Sequence, residues 1–328
     1  MPLPPLAAAL HGWIDRNFLE LGRQMRLSYL PPLMVYVAAG ISGLTGIVGV
    51  FYVKERLGLS AEFLAALGFW GGLPWALKMP LGHLVDLIWR WKALLVYLGA
   101  TLIAASLLIM IGLLDTSSAL HGALLALMPV DAWYVLSALL APVGYVVQDV
   151  VADAMTVEAV PHLDDQGQPV SDAQRRLMHT TMQTLGRVAI IGGTLIVASM
   201  NVLLLDGVAG LAEDQREAAY RSIYELALLI PAVSVAGVIL ANWLRRRDSA
   251  RLARQGHSGA AIAALLGRTF ERPPVNWWIL LGGLAFAAVS LALGVGKVAF
   301  AQEIVFLVSM TIVLFLIGQL TRALDPEA

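Results

Sequence analysis

Eight stretches of the chain, about 30–53, 61–88, 93–114, 132–158, 177–204, 220–244, 277–295 and 299–320, are apolar for nearly their whole length. Each is long enough for a helix to cross a bilayer, whose roughly 30 Å of hydrocarbon takes about 20 residues. The segment before them reads differently. In Leu10–Tyr29 the apolar Trp13, Ile14, Phe18, Leu21 and Met25 interleave with Asp15, Arg16, Arg23 and Arg26. That alternation predicts a helix lying along the membrane surface, so residues 1–29 read as an amphipathic interfacial helix. The opening MPLPPLAAAL has no basic residue, which argues against a cleaved signal peptide. Six spans fill 30–244, a basic linker covers 245–276, and two more spans with a short tail occupy 277–328. Within the linker, Gly259–Leu266 suits a short helix.

Composition sharpens this into a class. The 328 residues are 59% hydrophobic and only 14% charged, whereas a soluble globular chain carries about 25% charged residues. A soluble domain of this size has too little interior to bury so much apolar side chain. The pattern predicts an all-α polytopic membrane protein. A net charge of −1 offers no footprint for nucleic acid. The absence of cysteine excludes disulfides, iron–sulfur ligation and a thiol nucleophile.

Basic residues orient the chain. With the N-terminus in the cytoplasm, 15 Lys and Arg fall on that side, 5 on the other, and Lys78 and Arg187 lie within spans, which accounts for all 22. The bias predicts a cytoplasmic N-terminus. Trp89, Trp91, Trp133, Trp243, Trp277 and Trp278 fall at span ends, where an interfacial aromatic belt places them.

Charge inside a span costs roughly 2.5–3.5 kcal/mol at a helix centre, so each intramembrane charge is a candidate for function. In the second span Trp75, Lys78, Gly82 and Asp86 step by three, four and four residues and share a helical face. Lys78 lies too deep to reach the headgroups by snorkelling and needs a partner or a watery cavity. In the fourth span Tyr145, Asp149 and Asp153 share a face. Two carboxylates one turn apart repel unless a cation intervenes. The fifth span offers one: Thr180, Gln183 and Arg187 recur on one face, and Arg187 stays protonated. Such charges can also serve only to lock helices together. Glu225 and Glu303 lie near span ends, where a solvated carboxylate is the default. The six His residues are not spaced as metal ligands, and no nucleophile elbow, P-loop or dinucleotide fingerprint appears. No cofactor, no metal site and no enzymatic activity are expected.

Three segments carry a resemblance. The first span and its loop read Val35-Tyr36, Gly40-Ile41-Ser42-Gly43-Leu44 and Phe51-Tyr52-Val53-Lys54-Glu55-Arg56-Leu57-Gly58-Leu59-Ser60. The second span carries Leu73-Pro74-Trp75-Ala76-Leu77-Lys78 with Gly82 and Asp86. The fourth ends with Asp149, Asp153-Ala154 and Val157-Glu158. Here the sequence resembles the folate–biopterin transporter family, a branch of the major facilitator superfamily, in its N-terminal portion. Gly82, Asp86 and Arg90 with Lys92 also echo the superfamily's loop signature between spans two and three.

The resemblance implies a major-facilitator-type six-helix bundle plus two further transmembrane helices, about eight spans in all. It implies alternating access about a cavity between two halves, and a chain that continues beyond Ala328 or completes its cavity by oligomerising. The expected function is a secondary active, proton-coupled transporter of a small organic anion, such as a folate or pterin, in the plasma (inner) membrane. Lys78 and Arg187 would attract carboxylates, with Gln183 on the same wall. Trp75 or Tyr145 would stack on a ring, and Asp149 or Asp153 would carry the proton. Gly82, Asp86 and Arg90 would form the inner gate. The alternative is a non-transporting membrane scaffold or assembly protein on the same kind of bundle, with the charges as helix glue and Trp277-Trp278 facing a partner.

Overall fold

A computed structural model of the chain describes residues 20–49, 58, 60–164, 168–266, 274–296 and 298–323. Over these residues the protein is helical, and the one β-type pairing among them is a bridge between Leu163 and Pro169. The helices are α1 (Leu30–Gly40, continued as a 3-10 turn over Ile41–Thr45), α2 (Ala61–Ala76), α3 (Lys78–Leu87) and α4 (Lys92–Leu114). They continue with α5 (Ala119–Leu127), α6 (Val130–Ala159), α7 (Asp172–Leu205) and α8 (Glu213–Ala227). Last come α9 (Leu229–Arg254), α10 (Gly259–Leu265), α11 (Trp277–Val295) and α12 (Ala301–Ala323). Most of the interfacial helix expected over 1–29 lies outside the described residues. What is described there is one turn at Glu20–Arg23 and a 3-10 turn at Leu27–Tyr29.

Among the described residues six helices are long and apolar enough to cross a membrane: Leu27–Gly49, Trp89–Leu114, Val130–Ala159, Asp172–Leu205, Glu213–Arg254 and Trp277–Gly294. The protein is an all-α, multi-pass membrane protein. Two of the eight expected spans take another form. The stretch 61–88 is divided at Leu77 into α2 and α3, and in the last helix the apolar run covers Ala301–Phe315. Proline explains the division. Pro80 has no N–H to give the Ala76 carbonyl, and its ring needs the space that carbonyl would occupy in a continuous helix. The chain therefore ends α2 at Ala76 and restarts at Lys78, with Pro80 in the first turn of α3, where its missing donor costs nothing.

Helix α6 is the central element, and its two faces do different work. One packs on α4 through Gly99 and Gly144, where a side-chain carbon on Gly144 would sit 2.6 Å from the Gly99 carbonyl oxygen. Close approach of this kind lets small polar groups join the helices. Ser106 Oγ donates to the Ser137 carbonyl at 2.8 Å, and Gln148 Nε2 donates to the Val96 carbonyl at 3.2 Å. Ser234 Oγ of α9 donates to Gln148 Oε1 at 3.0 Å. The adjoining face of α6 looks into a cavity, which Ser106 and Ser137 line as well.

Charges fasten the bundle at both ends. At one, Lys92 Nζ meets Glu158 at 2.5 Å and lies 3.5 Å from the centre of the Trp89 ring, while Arg245 approaches Glu158 at 3.7 Å. At the other, Arg221 bridges Asp115 at 2.8 Å and Glu225 at 3.3 Å, so Glu225 is paired. The Ser117 hydroxyl, and after it the Arg221 guanidinium, hold the Asp115 carboxyl below the usual carboxylate range. Helix α11 joins the bundle at α3: the Asn276 backbone N–H donates to His83 Nε2 at 2.8 Å, and Gly283 lies against the Pro80 ring.

A branched side chain at the α4–α6 crossing has nowhere to go. Gly144→Val is expected to destabilise the protein by about 1–3 kcal/mol, read as a lowered thermal midpoint in detergent. Gly122→Val, at a glycine with open space around it, is expected to leave the midpoint within experimental error.

Candidate functional site

Asp149 and Asp153 are one turn apart on the cavity face of α6, as their spacing requires. Lys78 joins them from the first position of α3. Its ammonium lies 2.5 Å from Asp149 Oδ2 and 3.0 Å from Asp153 Oδ2. A cation at a helix N-terminus opposes the helix dipole, and the pair of carboxylates offsets that cost. The proline break thus places the lysine, and the lysine neutralises the carboxylate repulsion.

The two acids are not equivalent. The Asp149 side chain is 7% exposed and that of Asp153 is 49% exposed. Asp153 has a second partner, the Tyr36 hydroxyl of α1, which donates to Oδ1 at 2.5 Å. The Tyr36 ring lies against Gly186 of α7, where an added side-chain carbon would come within 2.8 Å of it. Asp149 is therefore a buried anchor, and Asp153 is an accessible group held between a phenol and an ammonium.

These residues line a cavity of about 1290 Å³, room for a drug-sized solute. Its charged lining among the described residues is Lys78, Asp149, Asp153 and Arg187, two cations and two anions. Trp75, Tyr145 and Gln183 line it as well. The spans that carry the sequence-derived binding candidates thus bring all seven to one cavity. Arg187 is placed otherwise than the sequence reading had it. The cation between the two carboxylates is Lys78, because the α2–α3 break delivers it there. Arg187 acts on Asp149 through space and makes no ion pair among the described residues.

The gating candidates stand apart. Gly82 and Asp86 on α3 and Arg90 in the turn after it are not among the cavity-lining residues. No ion pair joins Asp86 to Arg90 among the described residues, and Arg90 instead lies 5.9 Å from the centre of the Trp91 ring. At that end the ion pairs belong to Lys92, Glu158 and Arg245.

Sequence reasoning did not single out Tyr36, Tyr134 or Tyr224 as lining residues. One signal was available: a tyrosine within an apolar span needs a partner for its hydroxyl. Among the described residues no group of His, Asp and Glu is arranged to hold a metal ion. In comparisons with known proteins, no family model, curated protein or solved structure matches the chain.

Removing Lys78 leaves two neighbouring carboxylates, one buried, without their cation. Lys78→Met is expected to cost roughly 2 kcal/mol of stability, seen as a lower thermal midpoint. The double variant Lys78→Met/Asp149→Asn is expected to regain most of that loss, because no unpaired buried charge then remains.

Proposed function

We propose that the protein is a secondary active transporter of a small organic anion, working by alternating access in the plasma membrane with its N-terminus in the cytoplasm. Its resemblance to the folate–biopterin transporters makes folates and pterins the first solutes to try. The observation that carries the reading is the cavity: four charges that sum to zero, bordered by aromatic rings, within a bundle of apolar helices.

Charge balance gives the coupling. Lys78 is occupied by Asp149 and Asp153, so Arg187 is the cation available to an incoming carboxylate. Admitting one anion leaves the site with one excess negative charge in a low-dielectric setting. Protonating one carboxylate restores neutrality. Asp153 is the one with solvent access, and its neutral form keeps Tyr36 and Lys78 as neighbours. A monovalent anion thus travels with one proton. Tyr145, Trp75 and Gln183 supply a stacking face and a hydrogen-bonding edge for a flat heterocycle. The eight spans expected from the sequence, with α2 and α3 together as the second, form the scaffold of this reading. Asp86 and Arg90 would pair in another state of the cycle.

A non-transporting scaffold is favoured by a different observation. Trp278, 91% exposed at the start of α11, offers a partner a large apolar anchor. Transport assays separate the two. In proteoliposomes holding the full chain, an inward-directed proton gradient is expected to accelerate uptake of labelled folate or pterin several-fold. Asp153→Asn is expected to abolish that acceleration while leaving solute exchange intact, and Arg187→Gln is expected to raise KM about tenfold or more. Absence of saturable uptake for any organic anion, with the protein folded and inserted, would contradict the transporter reading.

A further inference from the structure

Helix α9 runs for 26 residues, Leu229–Arg254, which is about 39 Å of helix and more than a bilayer core requires. Its last turns extend past Trp243, a residue type that marks the membrane boundary. The extension has two faces. Leu244 and Leu252 are buried, and Arg245 turns inward to Glu158. The other face carries Trp243, Arg246, Arg247, Arg251 and Arg254, all exposed. These residues, with Ala250 and Gln255, line an open hollow of about 580 Å³. Small Ala250 leaves its centre clear.

Most of the charge in this hollow has no ion-pair partner among the described residues. Arg247 is paired with Asp248 at 3.1 Å and lies 5.5 Å from the centre of the Trp243 ring. Arg246, Arg251 and Arg254 make no ion pair among the described residues. Four guanidinium groups against one carboxylate leave three net positive charges on one helix face. A helix C-terminus favours some basic character, but a dipole effect confined to the last turn does not account for Arg246. An excess of cations on the cytoplasmic side accounts for their number, but not for their gathering on one face around an aromatic ring.

We propose that this face of α9 is a binding site for the headgroup of an anionic phospholipid. Guanidinium forks match the paired oxygens of a phosphodiester. The site begins at the residue that meets the bilayer, so a lipid's acyl chains stay in hydrocarbon beside α9 while its phosphate reaches the arginines. Trp243 flanks the glycerol region and holds Arg247 in place by its ring. Arg246 takes the phosphate nearest the membrane, and Arg251 and Arg254 take a second charge or hydroxyl further out. The occupant is a lipid in preference to a free phosphate because attraction to an anionic leaflet acts on every arginine of the face at once. This inference does not depend on the transport reading.

The test is native mass spectrometry of the full chain in neutral detergent, titrated with phosphatidylglycerol or phosphatidylcholine. The wild-type protein is expected to retain phosphatidylglycerol with about tenfold higher affinity, and the preference is expected to fall with rising salt. Arg246→Gln/Arg251→Gln/Arg254→Gln is expected to remove the preference, while Arg216→Gln, on the first turn of α8, keeps it. If the triple variant does not fold, Arg251→Gln alone is expected to reduce the preference at least threefold. Equal retention of the two lipids by wild-type protein would overturn the proposal, as would an undiminished preference in the folded variants. Inorganic phosphate displacing phosphatidylglycerol at equal concentration would also overturn it, marking a soluble-anion site instead.

Discussion

A lysine inside an apolar bundle must be neutralised, and the structure around the cavity follows from how that is done. Lys78 reaches Asp149 and Asp153 together, and this needs three things from the sequence. Pro80 must break the helix so that Lys78 begins α3. The two acids must lie one turn apart on α6. Gly99 and Gly144 must let α6 lie tight against α4, with the neighbouring face of α6 turned to the cavity. Together they set oppositely charged groups around a hollow instead of sealing them between helices.

A balanced cavity is also a responsive one. Under the proposed transport cycle, a neutral site that admits an anion regains its balance by taking up a proton. The asymmetry between Asp149 and Asp153 divides the labour. The buried acid anchors the lysine, and the accessible one is shared between the lysine and Tyr36. Because Tyr36 belongs to α1 and rests on Gly186 of α7, a change at Asp153 reaches three helices directly. The ion pairs of Lys92, Glu158 and Arg245 tie α4, α6 and α9 at one end of the bundle.

The helical class and the membrane setting were legible in the sequence because both depend on long apolar runs, which survive any rearrangement of neighbours. The cavity-facing residues of α6 and α7 were legible for a related reason: helical spacing alone puts Asp149 with Asp153, and Gln183 with Arg187. What spacing cannot give is which helix faces which. Arg187 was the nearer choice along the chain for the acids of α6. The partner is Lys78, because a proline break moves it from the middle of a span to the start of a helix. Tyr36 escaped notice as a site residue for the same reason, since its role exists only once α1 crosses α6 beside Gly186. Nor does spacing foretell that Lys92 and Glu158, 66 residues apart in sequence, meet at one end of the bundle.

In a transport cavity, water reaches the Lys78, Asp149 and Asp153 cluster from one side of the membrane. The natural absence of cysteine makes this directly measurable by single-cysteine labelling with a membrane-impermeant thiol reagent in sealed vesicles. Gln183→Cys, on the cavity wall, is expected to react quickly, and Ile196→Cys, on the outer face of the same helix, is expected to stay unmodified. A Gln183→Cys protected from both sides of the membrane would mean that the charges are locked in a dry helix contact, which contradicts a water-filled transport cavity.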